Sequence, residues 1–127
     1  AEKFQAMVML GIANSRMKDF YDLWTLARQF EFSGPVLCSA IRATFERRKT
    51  ALPNKPPLAL TTEFTEDRQK LVQWNAFVSK SKLDGEGTKL TDIAESLRGF
   101  LMPPTESLVA GADFEMHWTP NGPWQIL

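Results

Sequence analysis

A chain of 127 residues is long enough for one domain with its own core and too short for two ordinary ones. Hydrophobic residues make up 43% and charged residues 24%, which is the balance of a folded globular domain and excludes a disordered segment. Lysine plus arginine and aspartate plus glutamate number 15 each, so bulk charge does not draw the chain to nucleic acid or membrane, and only a local patch is left to do so.

From the N-terminus, Phe4, Met7, Val8 and Gly11 recur at helical spacing, with Leu10 and Ile12 widening the apolar face, so a helix is expected over 2–13. Asn14 and Ser15 interrupt it and offer a cap for the next helix. That helix runs from Met17 to Phe30 on Phe20, Leu23, Trp24 and Ala27. Ser33-Gly34-Pro35 is a helix start, with Ser33 as N-cap, and Val36, Leu37, Ala40, Ile41, Thr44 and Phe45 predict a buried stripe as far as Arg48. Pro53, Pro56 and Pro57 make 51–62 an extended connection. Thr65-Glu66-Asp67 opens a helix with an apolar face of Leu71, Trp74, Phe77 and Val78, followed by a loop at Asp84-Gly85-Glu86-Gly87. Leu90, Ile93, Ala94, Leu97, Phe100 and Leu101 predict a further helix that Pro103-Pro104 ends, with a short turn over 105–110. The tail, FEMHWTPNGPWQIL, reads as a small hairpin or an irregular strap. The expected fold is therefore all-α: one domain, a bundle of about five helices with an irregular tail. No apolar run reaches the ~18 residues of a membrane span, and no signal-peptide layout opens the chain. The single Cys38 excludes an intrachain disulfide and suits a reducing cytoplasm.

Asp19 and Asp22 sit at i, i+3 on one helix, so their carboxylates can share a side. Such a pair either binds Mg²⁺ or simply places negative charge in the first turn, where the helix dipole favours it. Arg16 and Lys18 fit both cases, as ligand contacts or as surface ion-pair partners, and Lys3 by itself is an ordinary solvated lysine. Arg42, Arg47, Arg48 and Lys49 suit an RNA backbone, and equally the C-terminal turn of a helix. One histidine, His117, and one cysteine cannot build a zinc site, and Cys38 lies in an apolar helical run. Trp118 and Trp124 could stack on bases, although docking of the tail accounts for them as well.

The run AEKFQAMV followed by SRMKDFYDLW resembles the C-terminal part of the AbiEii/AbiGii-type nucleotidyltransferase toxins. The resemblance implies a toxin of a bacterial toxin–antitoxin and phage-abortive-infection system. It implies that Lys3 contacts nucleotide phosphates, with Arg16 and Lys18 at the basic positions and Asp19 and Asp22 at the last catalytic motif. The family's earlier motifs, a Gly/Ser loop and a D-x-D pair that holds Mg²⁺, do not occur in these residues. The chain therefore reads as the C-terminal helical domain of a longer cytoplasmic enzyme. The resemblance implies that this enzyme moves a nucleoside monophosphate from an NTP to RNA, the 3′ end of tRNA, with a cognate antitoxin as a partner. This piece alone is expected to be silent, with Mg²⁺ held by the N-terminal domain and no metal site of its own. The rival is a non-catalytic helical interaction module that binds a partner protein through its aromatic tail. Two structural expectations follow. Part of Met7, Met9, Leu10 and Phe20 should be exposed, and antiparallel packing of the first two helices should leave Lys3 roughly 15–20 Å from Asp19.

Overall fold

The computed structural model describes residues 1–81 and 88–127, so the loop expected at Asp84–Gly87 lies outside the described residues. Its centre is the helix α6 (Leu90–Ala110). Leu90, Ile93, Ala94, Leu97, Phe100 and Leu101 fall at helical spacing, and each is 2% exposed or less. Against this face pack α2 (Met17–Gln29) and α3 (Gly34–Arg47). On α3 rests α1 (Glu2–Leu10), and on α2 rests α5 (Arg68–Ser81). A single-turn α4 (Thr62–Thr65) and a 3-10 turn at Leu58–Leu60 carry Leu60 and Phe64 into the core. Among the described residues this gives six helices and one small sheet, a mainly α fold.

Several boundaries differ from those expected, each for a physical reason. α1 stops at Leu10 because Gly11 adopts φ 54°, ψ −134°, a backbone conformation that L side chains avoid, and Gly11–Ala13 tighten into a 3-10 turn. Met7 and Phe20 are fully buried, whereas Met9 and Leu10 are exposed. Ser33 caps α3 as expected, its hydroxyl accepting from the Val36 N–H. Ile41, Thr44 and Phe45 are buried as expected, but Cys38 joins them and Val36 and Ala40 turn to solvent. On α5, Leu71 is exposed and its neighbour Lys70 is buried.

Pro103 and Pro104 do not end α6, which continues to Ala110 and closes at Gly111. Each proline deprives the carbonyl four residues earlier of its donor. The Phe100 carbonyl, freed by Pro104, accepts instead from the Trp124 indole N–H at 3.0 Å. The helix survives because the tail satisfies what the proline removes.

That tail is the expected hairpin, and it pairs with a strand the sequence did not announce. β2 (Met116–Trp118) and β3 (Trp124–Ile126) are antiparallel, with Trp118 opposite Trp124. β1 (Phe32–Ser33) adds to the other edge, with Phe32 opposite Trp118, giving the order β1-β2-β3. Phe100 lies under the sheet, 4.8 Å from Trp118, 5.0 Å from Phe32 and 6.0 Å from Trp124 between ring centroids. At the hairpin turn, Gly122 has φ 70°, and a Cβ there would run into the Trp118 ring. Gly122→Ala is therefore expected to destabilise the protein by about 2–4 kcal/mol. Urea unfolding checks this, and a variant of wild-type stability would show that the hairpin turn does not rest on the ring.

Candidate functional site

The link between α1 and α2 determines the site. Asn14 is fully buried; its side-chain oxygen accepts from the Arg16 N–H at 2.8 Å, and its carbonyl accepts from Lys70 Nζ at 2.8 Å. Lys70 is 4% exposed and also lies over the Phe64 ring at 5.2 Å. Pinned there, the link folds back, and α2 begins beside the start of α1. The expected separation of Lys3 and Asp19 is accordingly wrong: the two side chains are in direct contact.

Lys3 Nζ lies 3.2 Å from Asp19 Oδ1 and 3.2 Å from Asp22 Oδ2, bridging the two carboxylates. Lys18 Nζ is 2.7 Å from the same Asp22 oxygen. Arg16 Nε is 3.0 Å from Asp19 Oδ2, but its N–H does not point along a hydrogen bond, and that oxygen is buried without a hydrogen-bond partner. All five residues singled out in the opening stretch thus meet in one network. Asp19 differs from the surface carboxylate its first-turn position suggested, since its side chain is only 6% exposed.

The hydrogen bonds to Asp19 and Asp22 raise the pKa of Lys3 above the usual lysine value, against a smaller opposing effect of burial. Burial opposes ionisation of Asp22, but the hydrogen bonds from Lys18 and Lys3 outweigh it and hold its carboxyl below the usual range. Both groups are therefore charged at neutral pH.

A shallow hollow of about 570 Å³ borders this network, lined by Arg16, Lys18, Asp19, Gln73 and Phe77 among others. Gln73 Oε1 and Asn14 Nδ2, like Asp19 Oδ2, are buried without hydrogen-bond partners. Asn14, Lys70 and Gln73 are site-forming residues that sequence reasoning missed. The only available sign was a lysine beside an apolar helix face. Mg²⁺ prefers an octahedral shell of oxygens, and two carboxylates with an ammonium between them do not provide one. Among the described residues no group of three or more His, Cys, Asp or Glu side chains is placed to hold a metal.

The basic cluster on α3 divides. Arg47 Nη2 and Arg48 Nη2 lie 3.2 and 3.7 Å from Glu2, the neighbour of Lys3, and Arg48 also donates to Gln5 at 3.3 Å. Lys49 is exposed in a left-handed conformation just after α3, and Arg42 borders a separate hollow with Glu46 and Asp113. Cys38 and His117 do not form a nucleophilic pair. The Cys38 thiol faces the Pro104 carbonyl at 3.7 Å, with burial raising its pKa, and His117 pairs with Glu31 at 3.2 Å.

The model of the family described as nucleotidyl transferase AbiEii toxin, Type IV TA system, matches residues 1–97. The chain belongs to this family. No curated protein and no solved structure matches the chain. The matched AbiEii segment contains the whole Lys3–Asp19–Asp22 network, and it ends inside α6 before the hairpin. Membership gives the chain a nucleotidyltransferase-type, toxin–antitoxin function. Among the described residues no helix is long and apolar enough to cross a membrane.

The network sets a pH dependence for this AbiEii chain. The contribution of Asp22 is present above its unfolded pKa of ~3.9 and is lost as pH falls through its lower folded value. That of Lys3 is present below ~10.4 and is lost as pH rises through its higher folded value. Asp22→Asn should lower stability by about 0.5–1 kcal/mol at pH 7, with the two proteins converging as pH falls below the lowered folded value of Asp22. Urea titrations across pH check this, and a pH-independent difference would remove the ion pairs as its cause.

Proposed function

We propose that this chain is the helical C-terminal domain of a cytoplasmic AbiEii-type enzyme that transfers a nucleoside monophosphate from an NTP to an RNA acceptor, the 3′ end of tRNA. The observation that carries this reading is the Lys3 ammonium shared between two carboxylates, inside the family-matched segment and beside an open hollow. In the transfer, an acceptor oxygen bonds to the α-phosphorus, the bond to the β-phosphate oxygen breaks, and pyrophosphate leaves. Lys3, about two-fifths exposed and held protonated, offsets triphosphate charge. Arg16 and Lys18 extend that positive edge. Asp19 orients Lys3 through Oδ1, and through that ammonium it orients the acceptor or the bound nucleotide. Asp22 keeps Lys3 and Lys18 in place.

Mg²⁺ belongs in this reading to an N-terminal nucleotidyltransferase domain, because Asp19 and Asp22 are already engaged with cations. Met9, Leu10 and Ile12 form an exposed apolar corner next to Arg16 and Arg48, on the side where that domain docks. Arg47 and Arg48, beside Lys3 through Glu2, take the acceptor backbone, with Lys49 just past the same helix end and Arg42 more than a turn before it. A cognate antitoxin would act on the assembled enzyme. The interaction-module reading gives the partner contact to the aromatic tail, whose Trp118 indole here donates to the Ala27 carbonyl and Trp124 to that of Phe100.

Asp19→Asn, which keeps the shape of a buried side chain, tests the assignment in a chain that carries the N-terminal domain. Nucleotide transfer should fall by about 100-fold or more. Lys3→Ala should mainly raise the KM for NTP. Arg47→Ala with Arg48→Ala should leave NTP binding intact and weaken use of the RNA, increasingly so with salt. Wild-type transfer by a folded Asp19→Asn protein would eliminate the catalytic role and leave Asp19 as a structural carboxylate.

A further inference from the structure

A second hollow, of about 270 Å³, opens where α2, α6 and the hairpin meet. It is lined by Trp24, Arg28, Glu95, Gly99, Trp118 and Pro123 among others, and since Trp118 is only 5% exposed, Trp24 is the ring left open to a ligand. Arg28 lies over Trp24 with its guanidinium carbon 4.2 Å from the ring centroid. The Ala27 carbonyl accepts from both Trp118 Nε1 and the Asn121 N–H at 2.8 Å, which fixes the hairpin against α2 and sets the walls in advance. On α6 the hollow meets no side chain at Gly99, where an added Cβ would find nothing within 4 Å. Pro103 also cannot supply the N–H that the Gly99 carbonyl would take in a regular helix, so a hydrogen-bond acceptor remains at this edge. Glu95 adds a second acceptor.

We infer that this hollow is a pocket for an unpaired nucleobase of the single-stranded acceptor, a reading that rests on the proposed transfer to RNA. The half-buried Trp24 ring and the guanidinium over it offer a stacking plane to any base, and the guanidinium also offers a phosphate contact. The acceptors at Gly99 and Glu95 suit the exocyclic amine of cytosine, adenine or guanine. Position supports the same ligand. Eight residues of α2 separate Asp19 from Ala27, a rise of roughly 12 Å. Half-buried rings line the way: Phe77, which borders the Asp19 hollow, is 6.2 Å from Tyr21, and Tyr21 is 5.9 Å from Trp24. A strand whose last nucleotide reaches Asp19 thus places an upstream base at Trp24. A free mononucleotide carries the same base chemistry but gains nothing from this continuity.

Gly99→Leu tests the pocket without disturbing the core, since the new side chain enters open space in a helix. Its melting temperature should equal or exceed that of the wild type. The probe is a 5′-fluorescein-labelled six-nucleotide single-stranded oligoribonucleotide, followed by anisotropy with the 127-residue chain. Wild-type protein should bind it, and Gly99→Leu should weaken binding at least tenfold. Trp24→Phe should weaken it less, because a smaller ring still stacks. A blunt duplex of the same sequence and free CMP or AMP at equal base concentration should compete poorly. Unchanged affinity in Gly99→Leu, no binding by the wild type, or competition by the mononucleotide equal to that of the strand each overturns the inference. The two readings fail separately. Transfer that depends on Asp19 while binding ignores Gly99→Leu removes only the base pocket. Binding that responds to Gly99→Leu while transfer ignores Asp19→Asn removes only the catalytic assignment.

Discussion

The contact on which the site depends is the Lys3 ammonium between Asp19 and Asp22. A carboxylate as buried as Asp19 is costly without a cation close by, because burial strips its hydration. The chain supplies two cations, from either side of one short link: Lys3 from α1 and Arg16 from the residue before α2. Their attraction ties α1 to α2, although α1 packs chiefly on α3. Phe4 and Met7, with the contacts of Glu2 and Gln5 to the end of α3, hold the rest of α1 down. Asp22 shares Lys3 from a more exposed position, so it restrains the ammonium without neutralising it entirely. The result is a positive charge that is anchored and still reachable. That combination suits a group that must meet a phosphate and let it go again.

The same link explains where sequence reading succeeded and where it stopped. Helical periodicity located α2, α3, α5 and α6, because their apolar residues repeat at the helical period and meet a single core. Periodicity contains no information about how two helices cross, so the distance from Lys3 to Asp19 came out far too long. The missing constraint was Lys70. Reaching the Asn14 carbonyl from α5, it holds the link in place across 56 positions of sequence. A buried lysine looks identical to a solvated one in sequence, since its partner is a backbone carbonyl rather than a residue type. The burial of Asp19 was hidden in the same way.

Pro103 and Pro104 misled for a related reason. Proline strains a helix by removing a donor and by crowding the carbonyl four residues earlier, and both effects are local. Here the donor arrives 20 residues later as the Trp124 indole, and Phe100 is at once the released carbonyl and the ring on which the sheet rests. The two-residue β1 was equally invisible, as Phe32-Ser33 becomes a strand only because β2 lies alongside it. The resemblance over the opening residues, by contrast, was carried by a local motif, and the family match over 1–97 agrees with it.

Helix α2 joins these two parts of the molecule, and its composition changes along its length. Its first two turns carry Lys18, Asp19 and Asp22, with ion pairs to α1, while its last two carry Trp24, Ala27 and Arg28, facing the hairpin. Charge needs room to exchange partners, and the first end is bordered by an open hollow. Aromatic recognition needs fixed walls, and the second end is braced by two hydrogen bonds to one carbonyl. A rigid helix between them keeps the two at a constant spacing. The hairpin lies beyond the family-matched residues, whereas the ion network lies within them. The proposed transfer site is thus in the part the chain shares with its family, and the proposed base pocket is built with a tail outside that match. A base pocket at that end would therefore let the acceptor preference vary while the transfer site stays the same.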